Sequence, residues 1–507
     1  MSTPPSADSP QPATLGSRVT VGAAWMIGVH WGVRGLGIIS TIILARLLMP
    51  EDFGLVALAT AYIAIAEGVT AMPIGQALIS YQKAGRSMYD TAFTFALLRG
   101  LLIAAAMAAS AGLIAEAMSE PRLTAVVYAL ALKPLIEGLI NPRFIDYQKQ
   151  LSFSTPALLQ LAIKLAQVLV TIGAVVILRS YWALVIGTLL SAALHMAMTY
   201  ALKPNLPRLS LADWKALFGF SGWLTARSIV MSVQKQFDKF LIGAFLNTSV
   251  VGLFHVAGNL IVLPTRELVA PLTRALYPGL ATFGDEPDKL RANVAEASAI
   301  TAALALPLGV GLALIAEEFV LLLLGEKWLG AVPLIQILTP LLAFHQITAL
   351  LNSVVMVQRR THLMFIRTCV NLTIKASLTV PGIIYFGLNG VIGGLAITLV
   401  LFFFYRLAEF SYVLKTPLFA PVIAAWRSLA SLVVMISAVL AAATWLPLPI
   451  ETASSAAWSM LVKISLAASV YTAVHAGLWV VTGKPAGLEQ RVLGILTKRF
   501  PEQLARA

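Results

Sequence analysis

Runs of about 20 or more apolar residues recur along this chain from residue 19 to residue 482, separated by short polar breaks. Each run is long enough to cross a hydrocarbon core of about 30 Å as an α-helix. That core offers no water to satisfy backbone N–H and C=O groups, so such a chain folds as a helical bundle or closes as a barrel. The alternating pattern of barrel strands, in segments of about ten residues, is missing from the sequence. The expected fold class is therefore all-α, a polytopic membrane protein. Composition agrees, since 12% of residues are charged against about 25% in a soluble domain.

Reading the apolar runs against their polar breaks predicts fourteen spans, near 19–46, 53–79, 90–116, 121–145, 153–179, 181–202, 215–246, 250–280, 294–324, 329–357, 362–386, 389–414, 421–446 and 457–482. An even number places both termini on one side. Lys and Arg flanking the short loops assign that side to the cytoplasm. Twenty-one lie on it, from Arg18 to Arg506, and four (Arg46, Arg122, Arg179 and Lys327) lie opposite.

The first 17 residues, rich in Pro and Ser, predict a disordered cytoplasmic tail with an uncleaved first span behind it. Beyond Lys484, Leu488, Val492, Leu493, Leu496 and Phe500 fall on one helical face with basic residues elsewhere. That pattern predicts an amphipathic segment over 484–507 lying on anionic lipid. The single cysteine, Cys369, sits in an apolar stretch and reads as a small core residue; no Cys-based metal site or internal disulfide is open to the chain. The net charge of +13 is spread among membrane loops and does not form a basic domain for nucleic acid.

Sliding the sequence against itself by 198 residues reveals a repeat. Residues 44–80 lie without a gap on 242–278, matching Gly54 with Gly252, Leu55 with Leu253, Ala59 with Ala257, Pro73 with Pro271, and Ala77-Leu78 with Ala275-Leu276. Trp25 and Trp223 share the register. The aligned Gly and Pro each fix a backbone event, a helix start after the outer turn and a break in the second helix near its inner end. The shift carries spans 1 and 2 onto spans 7 and 8, an even step, so the repeat is parallel. Two pseudo-symmetric six-helix lobes follow, at 18–203 and 204–415, with spans 13 and 14 over 416–483 as an appendage.

Ionisable side chains inside the bilayer cost about 3 kcal/mol on insertion scales and persist where they face protein or water. This chain places Arg34 in span 1, Glu67 in span 2, Lys133 and Glu137 in span 4, and Lys164 in span 5. Span 7 holds Arg227, Lys235, Asp238 and Lys239; span 8 holds Arg266 and Glu267; His345 and Lys375 follow in spans 10 and 11. The four repeat-related spans, 1, 2, 7 and 8, carry eight of these charges, with cations in excess, which predicts a wet, net-positive cleft. Lys133 and Glu137, four residues apart, fit an ion pair on one helix face. Lys164 and Arg99 are read as snorkelling toward headgroups, and His345 as a hydrogen-bonded core histidine. No Gly-rich phosphate loop, H-E-x-x-H or G-x-S-x-G motif occurs, so the chain is not read as an enzyme and no cofactor is expected beyond a coupling ion, H+ or Na+.

"LARLLMPEDFGLVALA" after span 1, "IGQALIS" closing span 2, and "FDKFLIGAFLNTSVVGLFHVAGNL" followed by "LYPGLATF" resemble the signatures of the polysaccharide-exporter (Wzx-like) branch of the multidrug/oligosaccharidyl-lipid/polysaccharide flippase superfamily. Phe254 stands where that branch often has Tyr. The resemblance implies flipping of a polyprenyl-pyrophosphate-linked oligosaccharide across a bacterial inner membrane by alternating access, for exopolysaccharide or O-antigen export alongside a polysaccharide polymerase and export machinery. It implies Arg34, Arg227, Lys235 and Lys239 as pyrophosphate ligands, with Glu67, Asp238 and Glu267 as counter-charges or couplers. A drug/cation antiporter of the same superfamily, or a non-transporting scaffold for polysaccharide assembly, are the alternatives.

Overall fold

The computed structural model describes residues 15–490 except 72–73, 82–83, 151, 216–221, 268, 272–278, 281, 284–285, 361, 446–452 and 485–488. The helices are α1 (Leu15–Leu47), α2 (Pro50–Val69), α3 (Ile74–Ser80), α4 (Arg86–Ala117), α5 (Arg122–Leu130), α6 (Leu132–Gly138), α7 (Ser154–Leu178) and α8 (Trp182–Leu202). They continue with α9 (Gly222–Phe245), α10 (Thr248–Val262), α11 (Pro287–Leu314), α12 (Ala316–Leu323), α13 (Val332–His345), α14 (Leu351–Val357), α15 (His362–Leu414), α16 (Trp426–Trp445) and α17 (Ala453–Val481). Residues 1–14 and 491–507, where most of both expected tails fall, lie outside the described residues, and α1 begins at Leu15.

Among the described residues, eleven helical stretches are long and apolar enough to cross a membrane, or up to twelve when the bent pair Arg122–Gly138 and Pro142–Lys149 is counted as one span. Three features of the helices account for the lower number, each with a physical reason. Span 4 is broken by a 64° bend. Span 7 is helical as α9, but Arg227, Lys235, Asp238 and Lys239 make it too polar to pass as a plain apolar span. Spans 11 and 12 are both present, as the two arms of α15, an unbroken run of 53 residues that would be about 80 Å long if straight, at about 1.5 Å per residue. The chain reverses at Gly387, whose φ of 57° suits a residue without a side chain. The arms fold back on each other backbone to backbone: a Cβ on Gly390 would lie 1.8 Å from the Gly382 carbonyl oxygen, and one on Gly382 would lie 2.5 Å from that of Gly390.

The chain forms two compact units. The first comprises 1–44, 66–112 and 124–229, and the second 45–65, 113–123 and 230–507. In the first unit α4 and α6 approach closely at Gly100 and Gly138, where added Cβ atoms would lie 2.3 Å from the Pro134 oxygen and 2.7 Å from the Ala96 oxygen. Asn141, buried where the bent span turns, donates to the Lys203 carbonyl (2.8 Å) and receives its own hydrogen bond from Arg143 N–H (3.0 Å). The extended link after α8 is fastened to α4, with Arg208 N–H donating to Asp90 (3.0 Å) and Ser210 N–H to Thr94 (2.9 Å).

The second unit contains the repeat-related glycines in direct opposition. A Cβ on Gly54 would lie 1.7 Å from the Thr248 oxygen, and one on Gly252 would lie 1.8 Å from the Pro50 oxygen. Pro50 and Thr248 are themselves 198 residues apart, so the crossing of α2 and α10 has a local two-fold symmetry that the repeat dictates. Beside it, Arg46 at the end of α1 donates to the terminal carbonyls of α12, including that of Leu323 at 3.0 Å. Lys327 reciprocates, donating to the Arg46 (3.0 Å) and Leu48 (2.6 Å) carbonyls. Arg46 thus offsets the negative end of α12, and Lys327, just beyond α12, that of α1. The fully buried Trp328 donates to the Ala45 oxygen (2.9 Å) and meets Phe53 edge to face. Three of the four cations that the sequence assigns to the outer side, Arg46, Arg122 and Lys327, are held in this region, Arg122 by Glu120 at 2.8 Å.

The repeat's second expected break is displaced. Pro271 is helical, and the irregularity comes earlier, as a π-helical turn over Leu263–Glu267. Pro264, lacking an N–H, removes one i→i−4 bond there and lets the turn widen. Helix α17 joins the rest of the second unit through Tyr471 Oη, which donates to the Ala303 oxygen at 3.1 Å, and through the ion pair of Lys463 with Glu318, while Arg427 of α16 pairs with Glu489 beyond α17 (2.9 Å).

Candidate functional site

The close approach of α4 and α6 gathers the intramembrane charges of the first unit. Lys133 Nζ lies 2.9 Å from Glu137 Oε1 and 3.0 Å from Glu67 Oε1, so the expected i,i+4 pair forms and Glu67 joins it. Arg99 does not snorkel as expected. Its Nη2 donates to the Glu67 carbonyl (2.6 Å) and its Nε to Thr70 Oγ1 (3.0 Å), which caps the negative end of α2. A small cavity of about 150 Å³ lies against Glu67, Arg99 and Glu137. Two carboxylates and two cations make the cluster near neutral.

Arg34 lies elsewhere in the same unit, where glycines bring α1 onto α7. A Cβ on Gly32 would meet Leu161 at 3.3 Å and one on Gly37 would meet Lys164 Cε at 3.8 Å. Lys164 Nζ donates to Gln167 Oε1 (3.1 Å), and Arg34 stands close enough to Lys164 to repel its charge. The sequence reading set Lys164 aside as a snorkelling residue; the structure makes it the neighbour of Arg34.

In the second unit a cavity of about 660 Å³ opens among α9, α10, α13 and both arms of α15, a size that suits a small-molecule ligand. Lys235 and Asp238 line it from α9. Asp238, 8% exposed, takes Lys375 Nζ on Oδ2 at 2.7 Å, while its Oδ1 is buried and accepts no hydrogen bond. Gln234 donates to Asn371 beside them. His345, buried as expected, shares a 2.8 Å hydrogen bond between Nε2 and the Leu399 carbonyl and stacks on Phe402. Lys235 and Lys239 make no salt bridge among the described residues, and Lys239 approaches His255.

The candidates therefore separate. Arg34 and Glu67 belong to the first unit; Lys235, Lys239, Asp238 and Glu267 belong to the second, with Glu267 in the π-helical turn. Arg227 lies on α9 and Arg266 in the π turn, but their side chains fall outside the described residues. Lys164 and Lys375 were missed as site residues because their partners, Arg34 and Asp238, are about 130 residues away in sequence and no local spacing announces such pairs.

A family model described as "Polysaccharide biosynthesis protein" matches residues 43–333, more than half of the chain. The chain is 24% identical over 390 residues to the lipopolysaccharide biosynthesis protein WzxC of Escherichia coli (strain K12), covering 75% of this chain and 77% of that protein. It is 22% identical over 332 residues to the succinoglycan biosynthesis transport protein ExoT of Rhizobium meliloti (strain 1021), covering 64% and 67%. The Lipid II flippase MurJ in its inward closed conformation superposes with a TM-score of 0.71 at 13% identity, covering 91% of this chain and 99% of MurJ. This chain belongs to the polysaccharide biosynthesis protein family and shares the fold of the Lipid II flippase MurJ.

Proposed function

We propose that this chain flips a polyprenyl-pyrophosphate-linked oligosaccharide from the cytoplasmic to the periplasmic leaflet of a bacterial inner membrane by alternating access, with both termini cytoplasmic, for exopolysaccharide or O-antigen export. The observation that carries this reading is how the intramembrane charges sort. Glu67 and Glu137 share Lys133, and Asp238 holds Lys375. Meanwhile Arg34 stands beside a second cation, Lys164. The two lie on neighbouring helices, α1 and α7, and cations inside a bilayer are kept where they face protein, water or a bound anion. A diphosphate supplies more than one negative charge, and the planar guanidinium fork of Arg matches its oxygens. Glu67, Glu137 and Asp238 each hold a lysine ammonium group, an arrangement less suited to a cation antiporter, which needs carboxylates for its substrate.

In this reading Arg34 and Lys164 engage the diphosphate, with Arg227, Lys235 and Lys239 as further cations on its path. Glu67, Asp238 and Glu267 act as counter-charges, and H+ or Na+ is the coupling ion. The test replaces Arg34 with Ala and, separately, Lys164 with Ala in cells that depend on this chain for polymer export. Export should stop in the first and fall sharply in the second, while both proteins insert in the membrane at normal levels. Full export by the Arg34→Ala protein defeats the proposal.

A further inference from the structure

We infer that the link after α8, residues 203–215, lies flat in the cytoplasmic headgroup layer and binds anionic phospholipid there. The inference goes beyond the flippase reading and takes from it only which leaflet is cytoplasmic. Pro204 and Pro207 keep the segment from continuing α8 as a helix. Its backbone is fastened along one side instead. The N–H groups of Arg208, Ser210 and Asp213 donate to Asp90 (3.0 Å), Thr94 (2.9 Å) and Thr91 (3.3 Å) of α4. Asn141 Nδ2 holds the Lys203 (2.8 Å) and Asn205 (3.2 Å) carbonyls. The apolar side chains, by contrast, stand out: Leu206 is 79% exposed and Leu209 71%, and Leu211 and Trp214 are exposed with them. A contiguous apolar patch of this kind marks a surface that something covers. The hydrocarbon core excludes lipid-facing backbone that is not helical. The headgroup layer meets both conditions, and Trp and Tyr concentrate there.

Charge selects the lipid. The segment carries Lys203, Arg208 and Lys215 against one carboxylate, Asp213. Lys203 Nζ lies 4.7 Å from the centre of the Tyr147 ring, which joins the segment to the Pro142–Lys149 arm of the bent span. On that arm Arg143 and Lys149 both stand over the Tyr89 ring, 5.3 and 5.0 Å from its centre. The other carboxylates of this corner are engaged already. Asp146 accepts from Tyr89 Oη, and Asp90 accepts from the Arg208 N–H with Arg86 3.8 Å away. Among the described residues the corner is therefore cationic, and the anionic cytoplasmic leaflet attracts such segments. A phospholipid supplies both halves of the match, a phosphate for the cations and acyl chains for the leucines. Free phosphate would leave the leucines uncovered.

The experiment uses the full chain with Cys369→Ser, to remove the native thiol, and Leu209→Cys carrying a small fluorophore, in phosphatidylcholine nanodiscs. A minor fraction of acyl-brominated phosphatidylglycerol is compared with the same fraction of acyl-brominated phosphatidylcholine, and iodide probes access from water. Both brominated lipids should quench the fluorophore, phosphatidylglycerol the more strongly, and iodide should quench weakly. The excess should be lost when Lys203, Arg208 and Lys215 are all replaced by Gln. It should persist with Arg208→Lys and Lys215→Arg, which keep the charge, and with inorganic phosphate added at matched ionic strength. Equal quenching by the two lipids, an excess that survives the triple Gln variant, or one lost in the charge-keeping variant or to phosphate would each overturn the inference. A fluorophore reached by iodide and by neither lipid would overturn it too, and would point to an acidic protein as the partner. Both nanodisc leaflets have one composition and no transport is read, so the outcome is independent of orientation and of export by the Arg34→Ala protein.

Discussion

Replacing Gly54 with Ala tests whether the crossing of α2 and α10 is built as tightly as the repeat implies. The new methyl carbon would lie 1.7 Å from the Thr248 oxygen, where ordinary van der Waals contact begins at 3.4 Å. The obstacle is backbone, so rotating a side chain brings no relief, and the helices must part by more than an ångström. Overpacking of this kind costs about 1–3 kcal/mol, set against the gain of about 0.5–1 kcal/mol that Ala brings to an unobstructed helix. Gly112 in α4 is the internal control, because a Cβ there meets nothing within 4 Å. The Gly54→Ala protein should lose about 1–2 kcal/mol of stability while Gly112→Ala gains slightly. Gly252→Ala should match Gly54→Ala, since its Cβ meets the Pro50 oxygen at 1.8 Å. The double variant should cost less than the two together, because helices already parted for one methyl have room for the other. The assay is the fraction of monodisperse protein surviving graded heating in one detergent, which suits a protein that does not refold. Equal survival of Gly54→Ala and Gly112→Ala would refute the reasoning.

Two further outcomes follow from paired charges. Arg367 and Glu409, both 8% exposed and 3.3 Å apart, form a buried pair, and Glu409→Leu should destabilise by about 3–5 kcal/mol by stranding the guanidinium; adding Arg367→Met should restore most of that loss in the same heating assay. At the turn between α4 and α5, the hydrogen bonds from Arg122 hold the Glu120 carboxyl below its ordinary range. A carboxylate depressed in the folded state gives stability that is present above its unfolded pKa and lost as pH falls through the folded value. The protection of amides 118–123 from hydrogen exchange, relative to their intrinsic rates at each pH, should fall on acidification below about pH 4.5, the ordinary carboxylate value, and Arg122→Ala should move that onset to higher pH.

Much of the fold was legible in the sequence because its determinants are local or periodic. Apolar runs gave the helices, and the 198-residue shift aligned Gly54 with Gly252 before any contact between them was known. Where the reading failed, the missing information was three-dimensional. The break expected between residues 386 and 389 is there, at Gly387, but no sequence pattern shows that the reversal is tight enough for Gly382 and Gly390 to touch. Pro271 was the aligned proline, but Pro264 is the one within the π-helical turn. The Lys133–Glu137 pair followed from spacing alone; Glu67, 66 residues from Lys133, joined it through packing that no spacing rule contains.

The site was legible in its charges and not in their pairing, and pairing decides what each charge can do. Glu67 and Asp238 both look like candidate coupling acids in the sequence. In the folded chain Glu67 shares Lys133 with Glu137 beside Arg99, so protonating it would unbalance a four-membered cluster. Asp238 holds a single lysine and keeps one oxygen without a partner. The two acids therefore differ in surroundings: the first shares its charge with three neighbours, whereas the second is held by one lysine and has a buried oxygen that accepts no hydrogen bond. Asp238 and Glu318 share this arrangement, each holding a lysine on one oxygen while the other accepts no hydrogen bond, an asymmetry that no spacing in the sequence announces.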